Sequence, residues 1–262
     1  MKLKNVFSLL ISAVASVCLV TASQPVASAD TISRSVGIDY SKFDIIKSGV
    51  FGGYLRGDIN FDDKIDSKDA VEVLKYYAAV IAGKDPLKSG LNWNIHKGDM
   101  NGDNLIDSKD AVCILQFYAE SIVSNNFDNV VTIATTYWSG HKYILYDGVN
   151  SGRDAMIFCY KKGGYLACIG NKAENDFLYK WILDNNQKNA YFGYTDTFLE
   201  GNWVWMDWTT SYSNWHSNEP NSENSQEDFA MFYWKFSDGT WNDGDFGHNT
   251  NSGGTAFICE IY

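Results

Sequence analysis

Cations are in short supply in this chain of 262 residues. Its 21 Lys and Arg face 32 Asp and Glu, a formal net charge of −11. A nucleic-acid partner is excluded on that ground, because phosphate contacts need clustered Lys and Arg. Past an N-terminal run from Val6 to Val20, no segment is long and apolar enough to cross a membrane, so no membrane insertion is expected. Histidine is scarce, and His141, His216 and His248 stand isolated. Neither a Ser/His/Asp arrangement nor a zinc-ligand spacing is visible, which leaves hydrolytic triads and zinc chemistry without support. Cysteine is sparse as well: apart from Cys18 there are only Cys113, Cys159, Cys168 and Cys259.

Cys18 belongs to a segment with Lys2 and Lys4, the apolar run and Ala27-Ser28-Ala29 before Asp30. That is the pattern of a secretory signal over residues 1–29, with a mature chain from Asp30 that is secreted and extracellular. Val17 is too bulky to precede a lipidated cysteine. In such a compartment disulfides are permitted, although four cysteines do not dictate two bridges.

What the chain has in abundance is a repeated acidic loop. Gly57-Asp58-Ile59-Asn60-Phe61-Asp62-Asp63-Lys64-Ile65-Asp66-Ser67-Lys68-Asp69-Ala70 returns as Gly98-Asp99-Met100-Asn101-Gly102-Asp103-Asn104-Leu105-Ile106-Asp107-Ser108-Lys109-Asp110-Ala111. Side-chain oxygens fall at loop positions 1, 3, 5, 9 and 12, the spacing at which a curled loop of about twelve residues points them at one hard cation. Lys64 and Leu105 at position 7 offer a backbone carbonyl. Calcium suits an all-oxygen set of flexible geometry better than magnesium, which keeps more water. Position 6, usually Gly, is Asp63 or Asn104, types that tolerate the left-handed conformation. Each loop runs into a helix, read from Ala70, Val73, Leu74, Tyr77, Ala78 and Ile81 and from Ala111, Ile114, Leu115, Tyr118, Ala119 and Ile122. No helical period precedes either loop, and position 12 is Asp rather than the bidentate Glu of a calcium sensor.

These features resemble a type I dockerin, the duplicated calcium-dependent module that plugs an extracellular protein into a cohesin on a cellulosome-type scaffold. The resemblance implies one calcium held by Asp58, Asn60, Asp62, Lys64, Asp66 and Asp69, and a second by Asp99, Asn101, Asp103, Leu105, Asp107 and Asp110. It also implies a cohesin-facing role for Ser67 and Lys68 and for Ser108 and Lys109. Identical pairs in both copies suggest docking in two orientations related by a half turn. Alternatively, Ser and Lys are simply good solvated first-turn residues. Cys113, equivalent to Glu72 in the first repeat, falls off the apolar stripe and is expected to be an unpaired, partly exposed thiol.

After Ser124-Asn125-Asn126 the pattern changes to aromatic-rich strands and polar loops. Tyr143–Tyr146 reads as a strand. Ser151 caps a helix through Cys159 to Lys162 that Gly163-Gly164 stops, and a second helix spans Lys172 to Asp184. Short strands and loops follow Tyr191. Carboxylates and amides gather at Asp196 and Glu200, Glu219-Pro220-Asn221, Gln226-Glu227-Asp228 and Trp241-Asn242-Asp243. With Ala190–Asp196, Trp203-Val204-Trp205 and Phe257-Ile258-Cys259-Glu260, they resemble a C-type lectin domain. In that family the matching residues Glu219, Asn221, Glu227, Asn242 and Asp243 hold a calcium ion and the sugar on it. Each sugar hydroxyl can donate to a carboxylate, accept from an amide and lend a lone pair to the ion. Glu-Pro-Asn is the order that favours equatorial 3- and 4-hydroxyls of mannose or glucose type, with Pro220 cis. Trp241 or Trp215 could offer an apolar face or serve the core. An auxiliary calcium site matches Asp196, Glu200 and Asp228, one ligand short because Ser222 stands where an acid usually follows. The resemblance also implies a Cys159–Cys259 disulfide, with Phe229 and Phe246 in place of a second bridge. Cys168 sits where neither bridge needs it and reads as a buried thiol, the alternative being a bond to Cys159.

The fold expected is α+β: a small all-α duplicated loop-helix dockerin at 57–124, then a mixed α/β C-type lectin fold at 131–262. A lead segment at 30–56 and a linker at 125–130 complete the organisation. Two calcium ions in the dockerin and one or two in the lectin domain would offset most of the net negative charge. The function expected is that of a non-catalytic, cellulosome-associated carbohydrate-binding protein serving polysaccharide degradation or adhesion. Two other readings stand beside it: a lectin-like domain that binds a protein, and a glycoside hydrolase using Glu219 and Glu227 as an acid/base pair.

Overall fold

The computed structural model describes residues 55–84, 97–124, 127–207, 210–222, 227–244 and 255–261. The expected signal peptide, the lead segment up to residue 54, Phe246 and residues 125–126 of the linker lie outside the described residues. Among the described residues, no helix is long and apolar enough to cross a membrane.

Both acidic loops lead into helices as the repeat predicts, α1 (Ser67–Ile81) and α2 (Ser108–Val123). Each begins for the same local reason. Asp66 and Asp107 are N-caps in extended backbone, and the third helical residue, Asp69 or Asp110, completes a capping box. Such a cap contributes about 1 kcal/mol by satisfying N–H groups that have no partner within the helix. Asp63 and Asn104 are left-handed, with φ of 60° and 64°. The two helices pack together over a core of Ile59, Ile65 and Val73 from one repeat and Met100, Ile106 and Ile114 from the other, all buried.

The second half is built around one mixed sheet. Its elements are β1 (Val131–Trp138), β2 (His141–Val149), α3 (Gly152–Lys161), β3 (Tyr165–Leu166), α4 (Lys172–Asp184), β4 (Ala190–Thr195), β5 (Val204–Trp205), β6 (Phe229–Phe232), β7 (Trp241–Gly244) and β8 (Thr255–Ile261). Ser151 and Asn171 cap the two helices, accepting from the backbone N–H of Asp154 and Glu174. Strand order is β1-β2-β8-β4-β6-β7, with β3 on β8 and β5 on β4. The last strand therefore inserts between β2, antiparallel, and β4, parallel, tying the end of the domain to its start. At the far side β6 and β7 form an antiparallel pair with Ala230 opposite Asp243 and Met231 opposite Asn242.

Trp241 is fully buried, so it serves the core rather than an exposed sugar-stacking face. Phe192, Tyr194, Trp205, Tyr212 and Trp215 surround it, with ring centroids 4.9–6.1 Å away. Two cysteine expectations are corrected. Cys159 and Cys259 are free thiols, not a disulfide; both are wholly buried and hydrogen-bonded to each other. Burial pushes the Cys159 thiol well above its usual range. Cys113 is buried instead of partly exposed, because α2 lies against the second half of the chain, where its Sγ faces the Phe198 carbonyl at 4.0 Å. Burial pushes this thiol up to about 12. Cys168 is a buried free thiol, as expected.

Candidate functional site

The two acidic loops share most of their internal wiring. In the first, Asp69 Oδ1 accepts from the N–H groups of Ile59 (2.9 Å) and Asn60 (3.2 Å), and its Oδ2 from that of Asp66 (2.9 Å). In the second, Asp110 accepts from Met100 (2.9 Å), Asn101 (3.4 Å) and Asp107 (2.9 Å). Asn60 and Asn101 each accept from the N–H two residues on, and Asp58 and Asp99 from the N–H five residues on. The loops are thus curled with their carboxylates facing inward. Burial raises Asp58 to about 6, helped by the nearby Asp69 charge, and Asp110 to about 7. Asp58 Oδ1 is buried without a hydrogen-bond partner. Carboxylates held inward at such cost, one with an unused oxygen, fit a hard dication.

Lys64 is exposed and Leu105 half-buried at position 7. Both Ser-Lys pairs are exposed, and each lysine bends back over its own loop. Lys68 Nζ lies 3.0 Å from Asp62 and 3.6 Å from Asp66; Lys109 Nζ lies 3.6 Å from Asp103 and 4.0 Å from Asp107.

The second cluster forms where the loop after β5 meets β7. The N–H of Trp241 donates to Asn214 O (3.0 Å), that of His216 to Trp241 O (2.9 Å) and that of Glu219 to His216 O (3.0 Å). This ladder brings Glu219-Pro220-Asn221 to the end of β7, with the Glu219–Pro220 peptide cis. There Asp243 Oδ2 accepts from the N–H groups of Asn221 (3.0 Å) and Ser222 (2.7 Å). Asp243 Oδ1 is buried and has no hydrogen-bond partner. Asn242 is its neighbour on β7. The β6–β7 register sets Phe229 opposite Gly244, so Glu227, two residues before β6, lies at the same end of the pair. Among the described residues no three His, Cys, Asp or Glu side chains are grouped closely enough to hold a metal ion as they stand; the observation here that fits a calcium ion is the buried, unpartnered Asp243 oxygen. When bound, the ion would offer open coordination positions to sugar hydroxyls, while Glu219, Asn221, Glu227, Asn242 and Asp243 would hold it and orient those hydroxyls.

Asp196, Glu200 and Asp228 also converge. Burial raises Asp196 to about 6, and Glu200 and Asp228 push it in the same direction; burial and Glu200 raise Asp228. Asp196 Oδ1 is buried without a hydrogen-bond partner, while its Oδ2 accepts from Gly201 N–H (2.8 Å). Ser222, standing in for the absent acid, donates its hydroxyl to Glu200 Oε1 (2.7 Å).

Comparison with known proteins agrees with both halves. The family model described as the lectin C-type domain matches residues 149–261, and that for the dockerin type I domain matches residues 56–118. A perlucin-like protein of Mytilus galloprovincialis is 32% identical over 118 residues, covering 40% of this chain and 71% of that relative. The chain belongs to the C-type lectin family. Lectin BRA-3 of Megabalanus rosa is 30% identical over 127 residues, 47% of this chain and 73% of its own. A C-type lectin of Micrurus corallinus is 35% identical over 94 residues, 34% of this chain and 60% of that protein, so the chain spans less than two thirds of its length. Among solved structures, the cow C-type carbohydrate-recognition domain of CD23, in the presence of GlcNAc2Man3 oligosaccharide, is 29% identical, covers 48% of this chain and 92% of its own, and has a TM-score of 0.41.

The C-type lectin domain thus follows a type I dockerin, two module families that generally bind calcium, and neither match points to a catalytic domain. One supporting residue escapes a reading of motifs. Asn175 on α4 accepts from the Trp241 indole N–H through Oδ1 (2.7 Å) and donates from Nδ2 to Gly239 O (3.0 Å). It fixes both ends of the turn into β7, and no local pattern announces it.

Proposed function

We propose that this protein is a secreted, non-catalytic lectin carried on a cohesin-bearing scaffold, and that it holds mannose- or glucose-type sugars through calcium at Glu219, Asn221, Glu227, Asn242 and Asp243. The observation that carries this reading is the Asp243 carboxylate. One of its oxygens pins the Glu-Pro-Asn loop through two N–H groups, and the other is buried with no protein donor. A calcium at that oxygen sees Glu219 and Asn221 in the order that selects equatorial 3- and 4-hydroxyls. Support for the anchoring comes from the two calcium loops and the exposed Ser67-Lys68 and Ser108-Lys109 pairs. The ions number two in the dockerin, one at Asp243 and one more if Asp196, Glu200 and Asp228 load. Serving polysaccharide degradation or adhesion is the role such a scaffold-borne lectin fits.

The decisive measurement is glycan-array binding by the mature chain with calcium and with EDTA. Mannose-type binding that disappears on chelation is expected. Calcium-independent binding to a protein in place of sugars would replace this reading with that of a protein-binding domain, and release of reducing ends from a polysaccharide would replace it with a hydrolase. Cohesin capture that disappears on chelation tests the anchoring separately.

A further inference from the structure

The two calcium loops are nearly equal in sequence but sit in different surroundings. Loop 1 is open at its tip: Phe61, Asp62, Asp63 and Lys64 are exposed, Phe61 at 43%. Loop 2 is more covered: Asn101 is buried where Asn60 is half-buried, and Gly102, Asp103 and Leu105 are half-buried, while Asn104 stays exposed and Asp58 and Asp99 are equally buried. What covers it is the lectin domain. Asn202 Nδ2 donates to Asn101 O (2.5 Å), and Arg56 donates from Nη1 to Asp99 O and from Nε to Trp205 O (3.0 Å). The Arg56 N–H donates to Met206 O (3.0 Å). Further along, Arg153 of α3 bridges Glu120 of α2 (2.6 Å) and Thr197 (2.6 Å), while Tyr160 stands edge-on to Phe117 (5.1 Å) and accepts from Ile65 N–H (2.8 Å). Buried apolar side chains of both domains belong to one contiguous core.

One substitution between the repeats matches this difference. Position 4 is Phe61 in loop 1 and Gly102 in loop 2, and both are left-handed, φ 58° and 70°. The shared conformation does not demand glycine, since Phe61 adopts it. Space does: a Cβ on Gly102 would lie 2.3 Å from Val204 Cγ1 and 3.0 Å from Asn202 Nδ2. The missing side chain is the room that the β5 end of the lectin domain occupies.

We propose that the second calcium loop is an internal docking surface for the lectin domain, keyed by Gly102, and that plug and lectin form one cooperative unit with a fixed angle between scaffold and glycan. The calcium part rests on the metal reading of the loops given above. An ion in loop 2 would then lie in the loop whose position 4 packs against Asn202 and Val204, and its release would be slowed by that contact relative to loop 1.

The test swaps position 4 in the full mature chain, touching no proposed ligand: Gly102→Phe against Phe61→Gly. Calorimetry in calcium should give one transition for the wild type and for Phe61→Gly, and two for Gly102→Phe. Stopped-flow chelation should show a loop-2 phase slower than loop 1 by on the order of tenfold in the wild type, because release waits on local opening, and that phase should speed up in Gly102→Phe. If Gly102→Phe does not fold, Asn202→Ala should give the same acceleration. Two transitions in the wild type, or Gly102→Phe indistinguishable from it, would overturn the proposal. Titration calorimetry separates the two readings: a wild type that takes up no calcium defeats the metal reading, while the melting comparison still decides the interface.

Discussion

Replacing Asp243 by Asn changes one oxygen to an amide nitrogen and nearly preserves shape, so its effects divide by which oxygen they concern. The amide oxygen can still accept from Asn221 and Ser222 N–H, but as a neutral acceptor; each bond weakens by about 1 kcal/mol, about 2 kcal/mol together. Against this, a buried carboxylate with an unsatisfied oxygen disappears, which relieves a penalty of similar size. Without calcium, the melting temperature should therefore move little. With calcium at about a hundred times its dissociation constant, the wild type gains about 2.7 kcal/mol from that site, and the variant gains none of it. For a chain of this size that difference is about 8 °C. Differential scanning calorimetry of both proteins, with and without calcium, reads it directly, because the dockerin ions contribute equally to both. Binding of methyl mannoside, followed by titration calorimetry, should fall by about a hundredfold or more, since the variant withdraws a buried ligand from the ion that bears the sugar. Calcium-dependent sugar binding within about threefold of the wild type would refute the assignment of Asp243 as the pivot of the site.

Asn175→Leu leaves the Trp241 indole N–H without its partner, costing about 1–3 kcal/mol, while the Gly239 carbonyl keeps its bond from Asn214 Nδ2 (3.0 Å); sugar affinity should fall with it, and Asn175→Gln should recover part of both in melting and binding measurements. Ile114→Ala, at a fully buried position in the core between the repeats, should cost about 2–5 kcal/mol in denaturant unfolding. His141 is hydrogen-bonded to Glu260, which raises its pKa above 6.5, with Glu174 and Asp207 adding to the effect. The stability this gives is fully present below the unfolded histidine pKa and is lost as pH rises through the folded one. Burial raises Glu260 too, and its contribution is likewise lost as pH rises. The melting temperature should therefore decline as pH rises past about 6.5, and His141→Gln should flatten the decline; half-exposure of His141 keeps the effect small.

Local chemistry was the legible part of this chain. The α1 and α2 starts follow from acidic loops that run straight into an apolar period, α3 from its Ser151 cap, α4 from a helical period, and the left-handed Asp63 and Asn104 from residue types that accept that backbone. Asp243 and the Glu-Pro-Asn loop were legible because sugar and metal chemistry needs those types in that order. What escaped was every feature set by residues distant in sequence. Asn175 lies 66 positions from the Trp241 it holds. Cys113 looked solvent-facing by comparison with Glu72, because helical period reports which face meets the partner helix and says nothing of a second neighbour on another face. The disulfide pairing rests on proximity, which the fold does provide, but two wholly buried, mutually hydrogen-bonded thiols satisfy the same proximity without the bond.

The comparison of repeats makes the same point from the other side. Where two copies of a motif fold alike, shared residues report what each copy needs for itself, and differences report what their surroundings need. Asp58 and Asp99 are alike because each closes its own loop by accepting from the N–H five residues on. Phe61 and Gly102 differ although their backbones agree, Glu72 and Cys113 differ although their helices agree, and Ala79 gives way to Glu120, which meets Arg153. All three second-repeat residues face the lectin domain, through Val204, Phe198 and Arg153 respectively. The differences within the repeat therefore trace the surface of a domain that the repeat itself does not contain. That surface explains why a motif with an internal half-turn symmetry is used here with its two halves in unequal roles.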